Sequence, residues 1–183
     1  MDDTPVDVIG IILAAIIMFI VPLILIAERN DDISQMIASS ATADFVNNVV
    51  KTGKITTDNY QKLVSSLQSS GNSYDIDLEV KILDENASKV VTDADAKSVG
   101  NNAYYSIYTT QIEDRLQSSS ANSDLNYNGK LILKQGDVIA VTVKNSNATF
   151  SQALKSFYYR ATGSDIHIIV ATSSGTVAIN GAT

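Results

Sequence analysis

The sequence contains no cysteine and only one histidine among its 183 residues. Disulfides and thiolate metal sites are therefore excluded, and a lone imidazole leaves a zinc site short of ligands. That histidine, His167, alternates with Ile166 and Ile168, the pattern of a polar-face strand residue. A basic stripe is missing too. The net charge is −7 and the lysines stand singly, so nothing could neutralise a run of phosphates and no nucleic-acid partner is expected. No glycine loop of the phosphate-cradling kind occurs. Asp93 and Asp95 lack the further oxygen ligands of a calcium loop, and Asp137, after Gly136, reads as a turn residue bonding its own backbone. Catalysis needs a nucleophile, base or metal in workable combination. None is found, and the expectation is a protein that is not an enzyme, with no catalytic residue, no cofactor and no metal.

Charge is also absent from one long segment. Val8 to Ala27, VIGIILAAIIMFIVPLILIA, has neither a charged nor a strongly polar side chain. As a helix it reaches about 30 Å, the hydrocarbon thickness of a bilayer. With no polar face it does not suit the buried helix of a soluble core. The preceding Met1–Asp7 carries Asp2, Asp3 and Asp7 but no Lys or Arg, and Glu28-Arg29-Asn30-Asp31-Asp32 offers no small-residue cleavage site. An uncleaved anchor is expected rather than a secretory signal. Its direction is set by opposing cues. Arg29 alone points to a cytoplasmic C-terminal side. The Ser-, Thr- and Asn-rich remainder, poor in Arg, resembles extracellular bacterial domains, and an outside location is expected.

Glycine and proline are missing from Arg29 to Val50, so the anchor is expected to continue into a helical stalk, a rod of roughly 60 Å ended by Gly53. Asp32 with Gln35 offers a capping-box alternative that would break the rod at the membrane surface. The small residues Ala38-Ser39-Ser40-Ala41-Thr42-Ala43 either let another helix approach closely or form a mobile polar neck.

Beyond the stalk, Tyr60, Leu63, Val64 and Leu67 recur at helical spacing, with Asp58 expected as N-cap and Gly71 past the end. Tyr74 to Ile82 alternates strictly between apolar residues and Asp75, Asp77, Glu79 and Lys81, a half-buried strand. Lys89 to Gly100 is polar and unplaced. Ala103 to Leu116 fits a helix with Tyr105, Tyr108, Ile112 and Leu116 on one face, and Tyr104 completes a tyrosine cluster. Ser118 to Gly129 reads as a loop. Leu131–Leu133 and Val138–Val143 flank Gln135-Gly136-Asp137 as a hairpin. Phe150, Ala153, Leu154 and Phe157 mark a helix capped by Thr149. Tyr158 and Tyr159 beside Arg160 could form a contact patch. Ile166–Ala171 and Thr176–Ile179 flank Ser173-Ser174-Gly175 as a second hairpin. Asn86 and Asn147 head sequons of a kind expected by chance in so Asn-rich a chain. The fold class is α+β: an N-terminal transmembrane helix and helical stalk followed by a small antiparallel sheet packed with helices. The divisions are an acidic tail at 1–7, a transmembrane helix at 8–28, a stalk at 29–54 and an extracellular α+β domain at 55–183.

Phe19-Ile20-Val21-Pro22-Leu23-Ile24-Leu25-Ile26-Ala27-Glu28 resembles the TadE-like family of pseudopilins from tight-adherence (Tad) pilus and related secretion systems. In that family an apolar helix carries a Leu-Pro-type step, then a Leu-rich run and a glutamate. Lys134 to Val143, with Gly136-Asp137, is similar to a Gly-Asp strand element of such proteins. The resemblance covers about a quarter of the chain and carries over Pro22 and Glu28. It implies a membrane-anchored pilin-like structural subunit, with the bilayer and other pilin-like subunits as partners through the N-terminal helix. No basic leader precedes the apolar segment, and the small-residue and glutamate arrangement usual at the start of pilin helices is missing. Prepilin-peptidase processing is therefore not expected, and a minor pilin or pseudopilin role is preferred. Pro22, Glu28 and Arg29 are the candidate assembly residues: Pro22 frees a backbone carbonyl, and Glu28 either rests at the interface beside Arg29 or pairs with another subunit. The alternative function is an anchored extracellular sensor or ligand-binding domain.

Overall fold

The structure, a computed structural model, describes residues 4–83, 104–117, 129–149 and 169–181. The expectations for Asn86, Lys89–Gly100, most of the Ser118–Gly129 loop, Phe150–Phe157, Tyr158–Arg160 and the strand around His167 lie outside those residues. The described chain is α+β, with a long apolar N-terminal helix and a small antiparallel sheet.

Helix α1, Thr4–Thr52, runs unbroken for 49 residues, about 73 Å at the usual rise. Pro22 lies within it, and Gly53 (φ 66°) ends it where a side chain would strike the backbone of Ile179 and Gly181. A short strand β1, Lys54–Thr56, leads into helix α2, Thr57–Gln68. Strand β2, Tyr74–Leu83, strand β3, Tyr104–Tyr108, and helix α3, Thr109–Gln117, follow. Strands β4, Lys130–Ile132, β5, Val138–Asn145, and β6, Val170–Thr176, complete the order. The main sheet is β3-β2-β5-β6, antiparallel throughout, and β1 pairs with β4 in a separate two-stranded ladder.

One face of the main sheet is apolar. Leu78 and Val80 of β2, Ile107 of β3, Ile139, Val141 and Val143 of β5 and Ala171 of β6 are buried. Against them pack Phe45, Val46 and Val49 of α1, Leu63 and Leu67 of α2, and Ile112 and Leu116 of α3. The charged residues expected on β2 stay on the opposite face, as strand alternation requires.

Four local expectations need correction. The N-cap of α2 is Thr56, whose hydroxyl accepts from the Asn59 N–H at 3.2 Å; Asp58 instead pairs with Lys62 one turn on. Residues 104–108 are a strand and not a helix start. Tyr104, Tyr105 and Tyr108 are exposed, and Ile107 is the buried residue, opposite Val80. The Tyr and Ile content suits a strand, and the unpaired edge of β2 supplies the bonds. The hairpin at Gln135–Asp137 does not form between its expected strands. The turn exists, but β4 pairs with β1 while β5 pairs with β2 and β6. Finally, Ser173-Ser174-Gly175 is no turn. β6 passes straight through it, because α1 lies so close that a Cβ on Gly175 would stand 2.7 Å from Val50 Cγ2.

Asp137 shows what the Gln135–Asp137 turn does. Its carboxylate is buried and accepts from the Lys134 N–H at 2.7 Å and the Leu83 N–H at 2.9 Å. The turn thus ties the end of β2 to the start of β5. Its bond to nearby backbone was foreseeable; the reach to Leu83 was not.

Candidate assembly surface

Ionic and apolar residues are segregated along α1 so that its two halves meet different surroundings. From Val6 to Ile26 nearly every large side chain is exposed. Ile16, Ile17, Met18 and Phe19 are 49, 54, 77 and 75% exposed, and successive residues step about 100° around a helix. The bare apolar surface therefore encircles the rod. Soluble monomers rarely leave so large an apolar surface to water. Among the described residues, α1 is the one helix long and apolar enough to cross a membrane.

Ala27 is the first α1 residue to turn inward, at 4% exposure. From there a buried stripe, Ser34, Ala38, Thr42, Phe45, Val46 and Val49, recurs every three or four residues. Of the small residues read as a seat for a second helix, or as a mobile neck, Ala38 and Thr42 are buried within the chain's own fold, while Ser39 and Ser40 stay exposed. Small side chains let the helix lie close to β6, and the larger Phe45 and Val49 reach the core. Thr42 and Ser34 satisfy their hydroxyls one turn back, on the Ala38 and Asn30 carbonyls at 2.6 and 2.9 Å.

Between the bare half and the packed half lies a polar collar. The Thr149 hydroxyl donates to the Asp31 carboxylate at 3.1 Å, and the Asn72 amide donates to the Ser34 hydroxyl at 3.1 Å. Gln35 binds both backbone groups of Val170: its amide nitrogen donates to the carbonyl at 2.8 Å, and its amide oxygen accepts from the N–H at 3.1 Å. Gln35 thus acts on the outer edge of β6 and does not close a capping box with Asp32, since no helix begins there. Sequence reasoning missed this collar. Its only signal was the four-residue spacing of Asp31, Gln35 and Ser39, the last also bonded to Gln35 at 3.2 Å.

The sequence-based candidates are strung along the rod and not gathered into one cluster. Pro22 is exposed, six residues before Glu28, so about 9 Å along the axis and on a different face. Glu28 is half-buried and Arg29 exposed. Proline at 22 removes the N–H that would bond the Met18 carbonyl, inside the bare half.

The end of the domain away from the collar is more ordinary. Tyr60 donates to Glu113 at 2.6 Å, joining α2 to α3. Burial first, then that bond and the negative charge of Glu113, push the phenol above the usual tyrosine range. A solvent-open groove between α1 and α2 is lined by Asp44, Phe45, Asn48 and Lys62, and another between α2 and α3 by Tyr60, Val64 and Glu113. No group of three His, Cys, Asp or Glu converges among the described residues. No family model, curated protein or solved structure matches the chain.

Proposed function

We propose that the chain is a membrane-anchored structural subunit of pilin-like type, a minor pilin or pseudopilin in a Tad-type or related surface or secretion assembly. The observation that carries this reading is the unbroken course of α1. One helix is bare and apolar along its first half and is the packing spine of a domain along its second. A tether needs only the first half and tolerates a flexible joint. A subunit that must hold its domain at a fixed angle to its neighbours needs the joint to be stiff. The bare half lies in the bilayer, where its backbone satisfies itself, and packs against the same segment of neighbouring subunits on assembly. Pro22 leaves the Met18 carbonyl for a donor on such a neighbour, and Glu28 with Arg29 sits at the interface. The domain lies outside the cell, in line with its Ser-, Thr- and Asn-rich surface.

The absence of cysteine makes the test clean. Single cysteines at Ile11, Ile12, Met18 and Phe19 are oxidised in membranes from cells expressing the full chain at native level. The expected result is disulfide-linked dimers at a subset of positions on one helix face. Monomer at all four positions would mean an isolated anchored domain and sink the proposal. Protease treatment of intact cells checks the direction, with loss of the domain expected and its protection counting against an outside location.

A further inference from the structure

Among the described residues the main sheet has β3 and β6 as its two edges, and the chain treats them unusually. Natural edge strands are commonly guarded by charge, proline or a bulge, because an unpaired edge invites another strand. Here the charges lie on the interior strands: Asp75, Asp77, Glu79 and Lys81 on β2, and Lys144 on β5. The edge strands β3, YYSIY, and β6, VATSSGT, carry none, and neither contains proline.

Hydrogen bonding shows which backbone groups remain open. Ile169 and Val177 bond towards β5 through Asn145, Gly136 and Asp137. Alternation then turns the even-numbered residues 170 to 178 outward. Val170 is taken by Gln35, and the Ala178 N–H by the Val50 carbonyl at 3.1 Å. Helix α1 therefore holds both ends of the outer edge. Among the described residues nothing pairs with the outward N–H and C=O groups of Thr172, Ser174 and Thr176. That window is five residues long. On β3 the Tyr108 N–H is taken by Gln111 at 3.2 Å, so Tyr104, Ser106 and Tyr108 are the residues that point away from β2.

We infer that the occupant of the Thr172–Thr176 window is the β3 edge of a second copy of this chain, which extends the sheet from one subunit to the next. Strand direction decides between partners. Each neighbour in β3-β2-β5-β6 is antiparallel, so the two edges run in opposite directions. Copies standing side by side in the same orientation therefore meet β6 to β3 as an antiparallel pair. Antiparallel pairing of β6 with β6 is different. Helix α1 runs parallel to β6, meeting Val170 at Gln35 and Ala178 at Val50. Two copies joined in that way would point their anchors in opposite directions, which one membrane does not allow. The choice of a same-orientation partner rests on the proposed anchored assembly.

The test uses full-length chain in membranes. Ser174→Cys is combined in the same polypeptide with Tyr104→Cys, Ser106→Cys or Tyr108→Cys, three pairings that cover the possible registers. Oxidation is expected to give a ladder of linked chains for at least one pairing and monomer for each single variant. Adding Thr172→Lys and Thr176→Lys, whose side chains stand on exposed positions, is expected to cut the linked fraction at least tenfold while circular dichroism stays unchanged. Dimers from Ser174→Cys alone would overturn the inference in favour of β6 self-pairing. Monomer in all three pairings, while α1 cysteines still cross-link, overturns edge pairing and leaves the assembly reading standing. Monomer at every position, α1 included, overturns both.

Discussion

At the scale of single residues, Gly175 is the position where the closeness of helix and sheet can be measured. It has ordinary strand geometry and is not a turn residue. Its side chain is missing because Val50 and Val46 occupy the space, at 2.7 and 3.2 Å from where a Cβ would stand. Valine in a helix has one strongly preferred rotamer and cannot swing aside. Gly175→Ala is expected to destabilise the folded domain by about 1–3 kcal/mol. Chemical denaturation measures it, and adding Val50→Ala should return part of the loss. An alanine variant as stable as the parent would show that α1 stands further from β6 than described. The SSG sequence gives no hint of this, since Ser-Ser-Gly is turn-like until the helix above it is known.

At the scale of elements, legibility followed whether a segment's periodicity was set locally or by a partner. β2 was readable because its alternation is strict and its two faces differ in charge. α2 was readable from Tyr60, Leu63, Val64 and Leu67, although its cap was not: Thr56 and Asp58 are both good capping residues, and only the backbone geometry separates them. β3 was misread because Tyr105, Tyr108, Ile112 and Leu116 happen to share a helical spacing across a strand–helix boundary. β4 was assigned the nearest apolar run as its partner, when its true partner, β1, lies far back in the sequence. Of the candidate assembly surface, the bare half of α1 was legible from length and apolarity. The collar was not, because its bonds from Asp31, Ser34 and Gln35 to Thr149, Asn72 and Val170 join α1 to distant segments.

The contact between α2 and α3 carries a pH dependence. Tyr60 is neutral when protonated, and its pKa in the folded protein is raised by burial and by Glu113. The folded state thus keeps the proton where the unfolded chain would release it. The stabilisation is complete below the unfolded tyrosine value, about 10. It is lost as pH climbs from there through the folded value. Denaturant midpoints of the parent and Tyr60→Phe, compared at about pH 8 and about pH 11, should therefore draw together at the higher pH. A gap that stays constant would mean that the phenol titrates alike in both states.

For the whole molecule, the decisive property is a 49-residue helix that is bare and apolar along its first half and packed against the domain along its second. Arginine at the centre of a bilayer-spanning helix costs about 2.5–3.5 kcal/mol on insertion scales. The double variant Ile12→Arg/Ile16→Arg should consequently lose most of its retention in carbonate-washed membranes, as fractionation and blotting would record. Undiminished retention would mean that these residues do not sit in hydrocarbon. The domain's own stability should not change, because both side chains are exposed and lie outside the buried core.

The parallel course of α1 and β6 also has a mechanical side. Gln35 to Val50 spans about 22 Å of helix, and Val170 to Ala178 about 26 Å of strand. A pull on the bare half along its axis reaches the domain as shear. The contacts from Gln35 to Val50 then share the load together and do not open one after another like a zipper. Resistance to such a pull is governed by the unfolding rate and not by equilibrium stability. The arrangement therefore suits a part that must bear tension along its length.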